Sequence, residues 1–406
     1  MQKYEITFID RGVTAPAGIK AAGVHVGFRN DPNRLDVALV VAEGPHVTSA
    51  GVFTKNVFCA APVQVDRELL EKHTAHAVIL NSGNANAATG KPGLNIARKT
   101  AQATAQALGL AAGEVLVAST GVIGVELDWG PFDVGIPALV DALSEDGGHD
   151  AACAIMTTDT HPKECAAFFE FEGNTYTIGG MVKGSGMIQP NMATMLAVLT
   201  TDMPLGRSSA KEALRRAVNV SFNRVTVDSD TSTNDSVFFF SSGAAPEPQD
   251  DDEAFNVFAY ALRAVCENLA RQIAADGEGA TKLVTVNVRD AASEADADAA
   301  ARTIANSPLV KTAIAGHDCN WGRIAAAVGR SGAAFRQSDV DIDIMGMPVL
   351  RAGLPCGFDE DEALRRFEAD EIVIDVCLGT GKGGQARIWT CDLTHEYIHI
   401  NADYRS

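Results

Sequence analysis

Residues 183–196 read Lys183-Gly184-Ser185-Gly186-Met187-Ile188-Gln189-Pro190-Asn191-Met192-Ala193-Thr194-Met195-Leu196. A glycine-rich approach leads through a proline to a small residue, a threonine and an apolar run. A self-cleaving peptide bond requires this composition. Ala193 leaves room around its carbonyl, and the Thr194 hydroxyl can attack that carbonyl. Gly184 and Gly186 allow the unusual backbone angles of a strained approach. Cleavage between Ala193 and Thr194 frees the Thr194 α-amine, whose pKa of about 7.7–8.0 suits a general base acting on its own hydroxyl. One event creates nucleophile and base together. The plainer reading of the same residues is a buried strand, because 195–199 is apolar and threonine is common in strands. On local chemistry alone both readings stand, since short motifs mislead.

Outward from this stretch, short apolar runs predict strands at Asp36–Ala42, Ala77–Leu80, Glu114–Ala118, Met195–Leu199, Val237–Phe240, Lys282–Val288 and Ile372–Cys377, with another near Trp389. Helical spacing lies between them. Phe255, Phe258, Leu262, Cys266, Leu269 and Ile273 recur on one face of a helix over about 253–275. Asp276-Gly277 follows as a stop, with Gly277 suited to a left-handed cap. A second helix is expected from Ser209, with Glu212 completing a capping box. A third covers Asn95–Ala107 with Asn95 as N-cap. Strands mixed with helices imply an α/β or α+β protein of layered sheets and helices.

Further blocks accompany the opening stretch: VTAPAGIKAAGVHVG (Val13–Gly27), NSGNANAATG (Asn81–Gly90), STGVIG (Ser119–Gly124), TTDTHPK (Thr157–Lys163), DSDTSTND (Asp228–Asp235), DGEGATK (Asp276–Lys282), NWGRI (Asn320–Ile324) and the end from Trp389 to Ser406. Together with KGSGMIQPNMATML they resemble the ornithine acetyltransferase family, also called bifunctional glutamate N-acetyltransferase, along nearly the whole chain. The resemblance implies a self-processing enzyme that moves acetyl from N-acetylornithine to glutamate. It implies an αββα-type sandwich and two fragments, 1–193 and 194–406, in an α2β2 heterotetramer. The family nucleophile falls on Thr194, and its oxyanion donors fall on Thr120 and Gly121. Its substrate contacts fall on Thr160, Lys183, Thr194, Glu278, Asn401 and Ser406. No metal or organic cofactor is implied. No residue decides whether acetyl-CoA also serves as donor. The chain departs from the family at Cys319, where proline is usual, at Ser229, where glycine is usual, and at Ser406, where threonine is usual.

The residues themselves give each of these positions a physical reading. A loop after the strand ending at Ala118 can aim the Thr120 hydroxyl and the Gly121 N–H at one point, as an oxyanion hole requires; an ordinary glycine turn reads the same. The Asn81–Gly90 run is either a site wall or a tight loop of turn-formers. Lys183 can pair with a carboxylate, though most lysines are simply solvated. Glu278 between two glycines suits a cationic amine, and a helix-ending turn explains the same glycines.

The chain has 406 residues, 46% hydrophobic and 21% charged. This is the balance of a soluble globular protein large enough for two or three packed units. A formal charge of −19 argues against a nucleic-acid partner. No signal peptide and no apolar run of about 20 residues is evident, so the cytoplasm is expected. Cys59, Cys153, Cys165, Cys266, Cys319, Cys356, Cys377 and Cys391 lack C-x-x-C spacing and read as reduced thiols. Asp228, Asp230 and Asp235 fail the calcium-loop template, and residues 379–384 fail the P-loop template. His395-Glu396-Tyr397-Ile398-His399 matches the zinc-protease motif, which works only on a helix. Strand-forming neighbours predict a strand, where the two rings lie roughly 13 Å apart. Two alternatives remain: a metallohydrolase using His395 and His399, and an N-terminal-nucleophile aminopeptidase or amidohydrolase with water as acceptor.

Overall fold

The structure, a computed structural model, describes residues 4–189 and 195–403. Ala193, Thr194 and Ser406 lie outside the described residues. The chain divides by packing into two compact units, Met1–Asn223 with Asp230–Leu269, and Arg224–Ser229 with Ala270–Arg405. The expected fragment boundary at 193/194 falls inside the first unit and is a different kind of division.

The first unit contains β1 (Thr7–Ile9), β2 (Ile19–Val24), β3 (Val37–Ala42), β4 (Thr48–Phe53), β5 (Ala77–Asn84), β6 (Val115–Val122), β7 (Lys163–Phe171), β8 (Asn174–Lys183), β9 (Leu196–Thr201) and β10 (Ser236–Ser241). Its helices are α1 (Ala61–Lys72), α2 (Gly90–Leu108), α3 (Gly130–Ala142), α4 (Gly148–Ala154), α5 (Arg207–Val220) and α6 (Asp251–Ala275), the last continuing into the second unit. One sheet runs β1-β7-β8-β9-β10-β4 and the other β2-β3-β5-β6.

Side-chain alternation builds the layers. Ala38 and Val40 of β3, Val78 and Leu80 of β5, and Leu116 of β6 pack with Met181, Leu196, Val198, Phe238 and Phe240 of the other sheet. The alternate residues Leu39, Val41, Ile79, Val115 and Val117 pack outward against Ala97 and Ala101 of α2 and Phe132 and Ile136 of α3. On the far face of the first sheet, Phe239 meets Phe258 of α6 edge to face, centroids 6.0 Å apart. The central strands β3, β9 and β10 are therefore buried on both faces along their whole length, and the layers read helix, sheet, sheet, helix. Burying each large apolar side chain contributes about 1.5–3 kcal/mol, which explains runs as apolar as Val37–Ala42. The αββα-type sandwich expected from the resemblance is the architecture of this unit.

The second unit contains β11 (Leu283–Ala291), β12 (Asp341–Ile344), β13 (Met347–Arg351), β14 (Leu354–Pro355), β15 (Glu371–Cys377) and β16 (Gly384–Cys391), with α7 (Glu294–Ala305), α8 (Pro308–Ala315), α9 (Trp321–Gly329), α10 (Glu360–Arg366) and α11 (His395–Asp403). Its sheet runs β14-β13-β12-β15-β11-β16. Val284, Val286, Ile372 and Ile374 form a core with Ala297, Ala301 and Ile304 of α7.

Several local expectations need correction. The second helix starts at Arg207 without a side-chain cap. Glu212 instead pairs with Arg215 and Arg216 on the helix surface. The third helix starts at Gly90, so Asn95 lies inside it. After α6, Gly279 and not Gly277 takes the left-handed conformation, at φ +69°. Gly277 is small for another reason: a side chain there would strike the Cys391 sulfur.

The largest correction is at His395–His399, which begins a helix and not a strand. The Thr394 hydroxyl accepts the Glu396 N–H at 3.2 Å, a cap that outweighs the strand preference of Tyr397, Ile398 and Ile400. On a helix, residues four apart share a face, so the separation argued from a strand does not apply. Both histidines are exposed. Among the described residues, no group of three His, Cys, Asp or Glu side chains is gathered as a metal site. Also among the described residues, no helix is long and apolar enough to cross a membrane. The eight cysteines are free thiols, with Cys165, Cys266, Cys319 and Cys391 buried.

Candidate active site

The C-terminal ends of the parallel strands β5 and β6 lie side by side, pairing Asn81 with Ser119, Ser82 with Thr120 and Gly83 with Gly121. The strands therefore continue through residues expected to be loop. Gly121 has φ +131°. A side chain there would overlap the backbone of Gly83 and Asn84. Only glycine permits this approach. Hydrogen bonds fix the strand ends. Ser119 donates to Asn81 Oδ1 at 2.7 Å, and the buried Asn234 amide donates to Ala85 O at 2.5 Å and Ser119 O at 2.7 Å. Beyond β5, Asn84 Oδ1 accepts the Asn86 N–H at 2.8 Å, and the Thr89 hydroxyl donates to Asn86 Oδ1 at 2.8 Å. The Asn81–Gly90 run is thus a strand end followed by a side-chain-closed turn.

Lys183 is the last residue of β8 and pairs across the sheet with Leu196, the first of β9. Its side chain is buried, and Nζ donates to Thr120 Oγ1 at 3.4 Å. A threonine oxygen that accepts from an ammonium keeps its own proton to donate elsewhere. Thr120, Gly121 and Lys183 are therefore brought together. Of the approach, Met187 and not Gly184 or Gly186 adopts the left-handed conformation, at φ +57°. Gln189 N donates to Asp230 O at 2.8 Å, and the Thr231 hydroxyl donates to Gln189 O at 2.9 Å. The aspartate-rich segment thus flanks this approach.

Sequence reasoning missed Asp159, which stood only within the TTDTHPK block. Asp159 Oδ1 accepts from Lys163 Nζ and from Gly184 N, each at 2.7 Å, and Oδ2 accepts from Thr157 N at 2.9 Å. The Asp159 and Lys163 side chains are fully buried. Burial alone raises a carboxyl, but the charges of Lys163 and Lys183 outweigh it and hold Asp159 well below the usual carboxylate range. Thr160, next in the chain, is exposed, with its hydroxyl 3.0 Å from His161 Nδ1.

Two further predicted contacts, Glu278 and Asn401, lie in the second unit. Glu278 is buried, and its Oε2 accepts from the Asn401 side-chain amide at 2.7 Å. Helix α11 carries Asn401. It is held where the Thr394 hydroxyl donates to Gly279 O at 2.6 Å and the Tyr397 hydroxyl donates to Asp228 Oδ2 at 3.4 Å. The sequence-level decoy HEYIH is thus the start of the helix that carries Asn401 to Glu278. Ser229, where the family usually has glycine, sits at φ +67°. Cys319 is buried in the core ahead of α9, and burial with the nearby Asp318 charge pushes its thiol up to about 11.

Comparison with known proteins agrees along the same length. The pattern of the ArgJ family matches residues 20–406. The arginine biosynthesis bifunctional protein ArgJ of Symbiobacterium thermophilum is 48% identical over 398 residues, covering 97% of this chain and 98% of its own. The protein of the same name from Chlorobaculum tepidum is 48% identical over 393 residues, covering 96% of each. A crystal structure of arginine biosynthesis bifunctional protein argJ from Bacillus halodurans is 44% identical, with TM-score 0.50, covering 52% of this chain and 100% of that one. The chain belongs to the ArgJ family.

Proposed function

We propose that this chain is a self-processing acetyltransferase that moves acetyl from N-acetylornithine to glutamate through an acetyl ester on Thr194. The observation that carries the reading is the buried Lys183 ammonium, 3.4 Å from the Thr120 hydroxyl, on a residue paired with Leu196. Two residues of chain, at most about 7 Å, separate Leu196 from Thr194. A charged donor, a hydroxyl and the N–H of an obligatory glycine thus gather where the strand following the cleavage site begins. The Bacillus halodurans ArgJ chain, matched over its whole length, spans 52% of this one. That is the share made up by residues 194–406.

In the proposed mechanism the Thr194 hydroxyl attacks the Ala193 carbonyl, the acyl group shifts from nitrogen to oxygen, and water hydrolyses the ester. Fragments 1–193 and 194–406 remain associated, two of each in the assembled enzyme. The freed α-amine then takes the proton of its own hydroxyl, which attacks the acetyl carbonyl of N-acetylornithine. Thr120 O–H and Gly121 N–H stabilise the oxyanion. Each such donor contributes about 3–4 kcal/mol in the transition state. Ornithine leaves with the proton. The glutamate amine then attacks the acetyl ester, the bond to the Thr194 oxygen breaks, that oxygen takes back a proton from the amine, and N-acetylglutamate departs. We carry substrate contacts to Thr160, Lys183, Thr194, Glu278, Asn401 and Ser406, with Glu278 meeting the cationic amine of ornithine. Acetyl-CoA as a second donor and a cytoplasmic site of action belong to the same proposal.

The test is the Thr194→Ala chain. It is expected to run intact near 42.6 kDa and to be inactive, while the parent runs as two fragments whose second begins at Thr194. Two fragments from Thr194→Ala, or an active parent with only its original N-terminus, reject the reading. Parallel double-reciprocal lines and an acetyl adduct on the second fragment are expected of the parent.

A further inference from the structure

The buried carboxylate of Asp159 belongs to no catalytic or binding role assigned above, yet it joins three segments. It accepts from Thr157 N in the loop that carries Thr160, from Lys163 at the start of β7, and from Gly184 N immediately after Lys183. The loop has no helical or strand hydrogen bonding of its own over 157–162. Burying an ion pair is at best a weak source of stability, since an apolar pair of similar volume often does as well. A fully buried Asp159–Lys163 pair beside the Lys183–Thr120 contact therefore calls for a role other than stability.

We propose that Asp159 is a positioning residue, whose carboxylate clamps the Gly184 N–H and the Lys163 ammonium so that Lys183 is aimed at the Thr120 hydroxyl. The inference rests on the acetyltransferase reading for its kinetic consequence, but the clamp itself is a structural statement. The geometry gives it direction. Gly184 N is bonded at 2.7 Å, which fixes the peptide following Lys183 and with it the root of that side chain. The same oxygen holds Lys163 at 2.7 Å, so the two strands β7 and β8 are tied at the end nearest Thr120.

Asp159→Asn leaves Lys163 without its carboxylate and can fail to fold, so the informative variant is Asp159→Leu with Lys163→Met, which removes both charges. In the mature enzyme this pair of changes is expected to lower kcat about 10- to 100-fold with KM moved less than about threefold, the loss of charge-assisted hydrogen bonds felt at the reacting centre. In a Lys183→Met background the same pair is expected to cost less than about threefold more, because both act through one contact. Hydrogen exchange at the Gly184 amide is expected to quicken at least about tenfold. Wild-type kcat in the charge-balanced variant, full multiplication of the two losses, or unchanged Gly184 exchange each overturns the proposal. A parent chain that transfers no acetyl rejects the proposed function instead, and Gly184 exchange then still decides the clamp.

Discussion

Replacing Thr120 by valine removes one hydroxyl and almost nothing else. Valine has the same branching and suits the strand that Thr120 occupies in β6. Its register partner Ser82 is unaffected, and the Gly121 N–H stays in place. Two interactions are lost. One is the proton that the proposed mechanism offers to the oxyanion, worth about 3–4 kcal/mol in the transition state. The other is the acceptor for Lys183 Nζ at 3.4 Å. That contact is long for a hydrogen bond, so its loss contributes at the low end of the roughly 0.5–1.5 kcal/mol that a hydrogen bond is worth net. The first acts only at the transition state, so kcat is expected to fall about 100- to 1000-fold while KM stays within about threefold. The assay is steady-state transfer from N-acetylornithine to glutamate, on material whose two-fragment state is verified by intact mass. A variant that keeps more than a third of the parent kcat, or whose whole loss lies in KM, refutes the assignment of Thr120 to the oxyanion.

Other perturbations test other parts. Ser229→Gly relieves a left-handed serine at φ +67°. Against glycine's greater unfolded-state freedom, the net gain is about 0.5–1 kcal/mol, a rise in melting temperature of about 1–3 °C; a fall contradicts it. Gly279→Ala strains a residue at φ +69° and drives a methyl into the backbone of Tyr397. Helix α11 is expected to loosen, with faster exchange of its amides and a higher KM for N-acetylornithine, and unchanged exchange counts against this. Asp66 is fully buried on α1, and burial raises its carboxyl well above the usual range despite the Val117 N–H it accepts at 2.9 Å. A raised carboxyl stabilises most below its unfolded pKa near 4 and loses that contribution as pH rises through the folded value. The melting temperature of Asp66→Asn is therefore expected to gain on the parent from about pH 4 upward, and a gap that ignores pH rejects a raised carboxyl.

Several apolar strands were legible because a strand buried on both faces carries few polar residues. Val37–Ala42, Leu196–Thr201 and Ser236–Ser241 were found within one or two residues. The strands β7 and β8 were not found. Asn174–Lys183 contains threonines and the pair Gly179-Gly180, which read as a breaker. In the fold, Gly180 is small because Leu199 and Leu269 crowd it, a tertiary reason with no local signal. The helix at His395 was misread because one cap from Thr394 outweighed three strand-forming residues. Of the site, Thr120, Gly121, Lys183, Glu278 and Asn401 were named through the family resemblance. Asp159 was not, since an aspartate four residues before a lysine in a loop looks like any solvated pair until both prove buried.

The order β1-β7-β8-β9-β10-β4 has a consequence for the proposed cleavage. A cut before Thr194 assigns β9 and β10 to one polypeptide and every other strand of that sheet to its sibling. The newcomer's two strands are then flanked on both edges, by β8 and by β4, like a tenon in a mortise. Separating the halves means breaking two ladders and opening the interior at once. Halves from differently labelled batches should not trade partners under native conditions, and halves produced from separate genes should need to meet before either has finished folding.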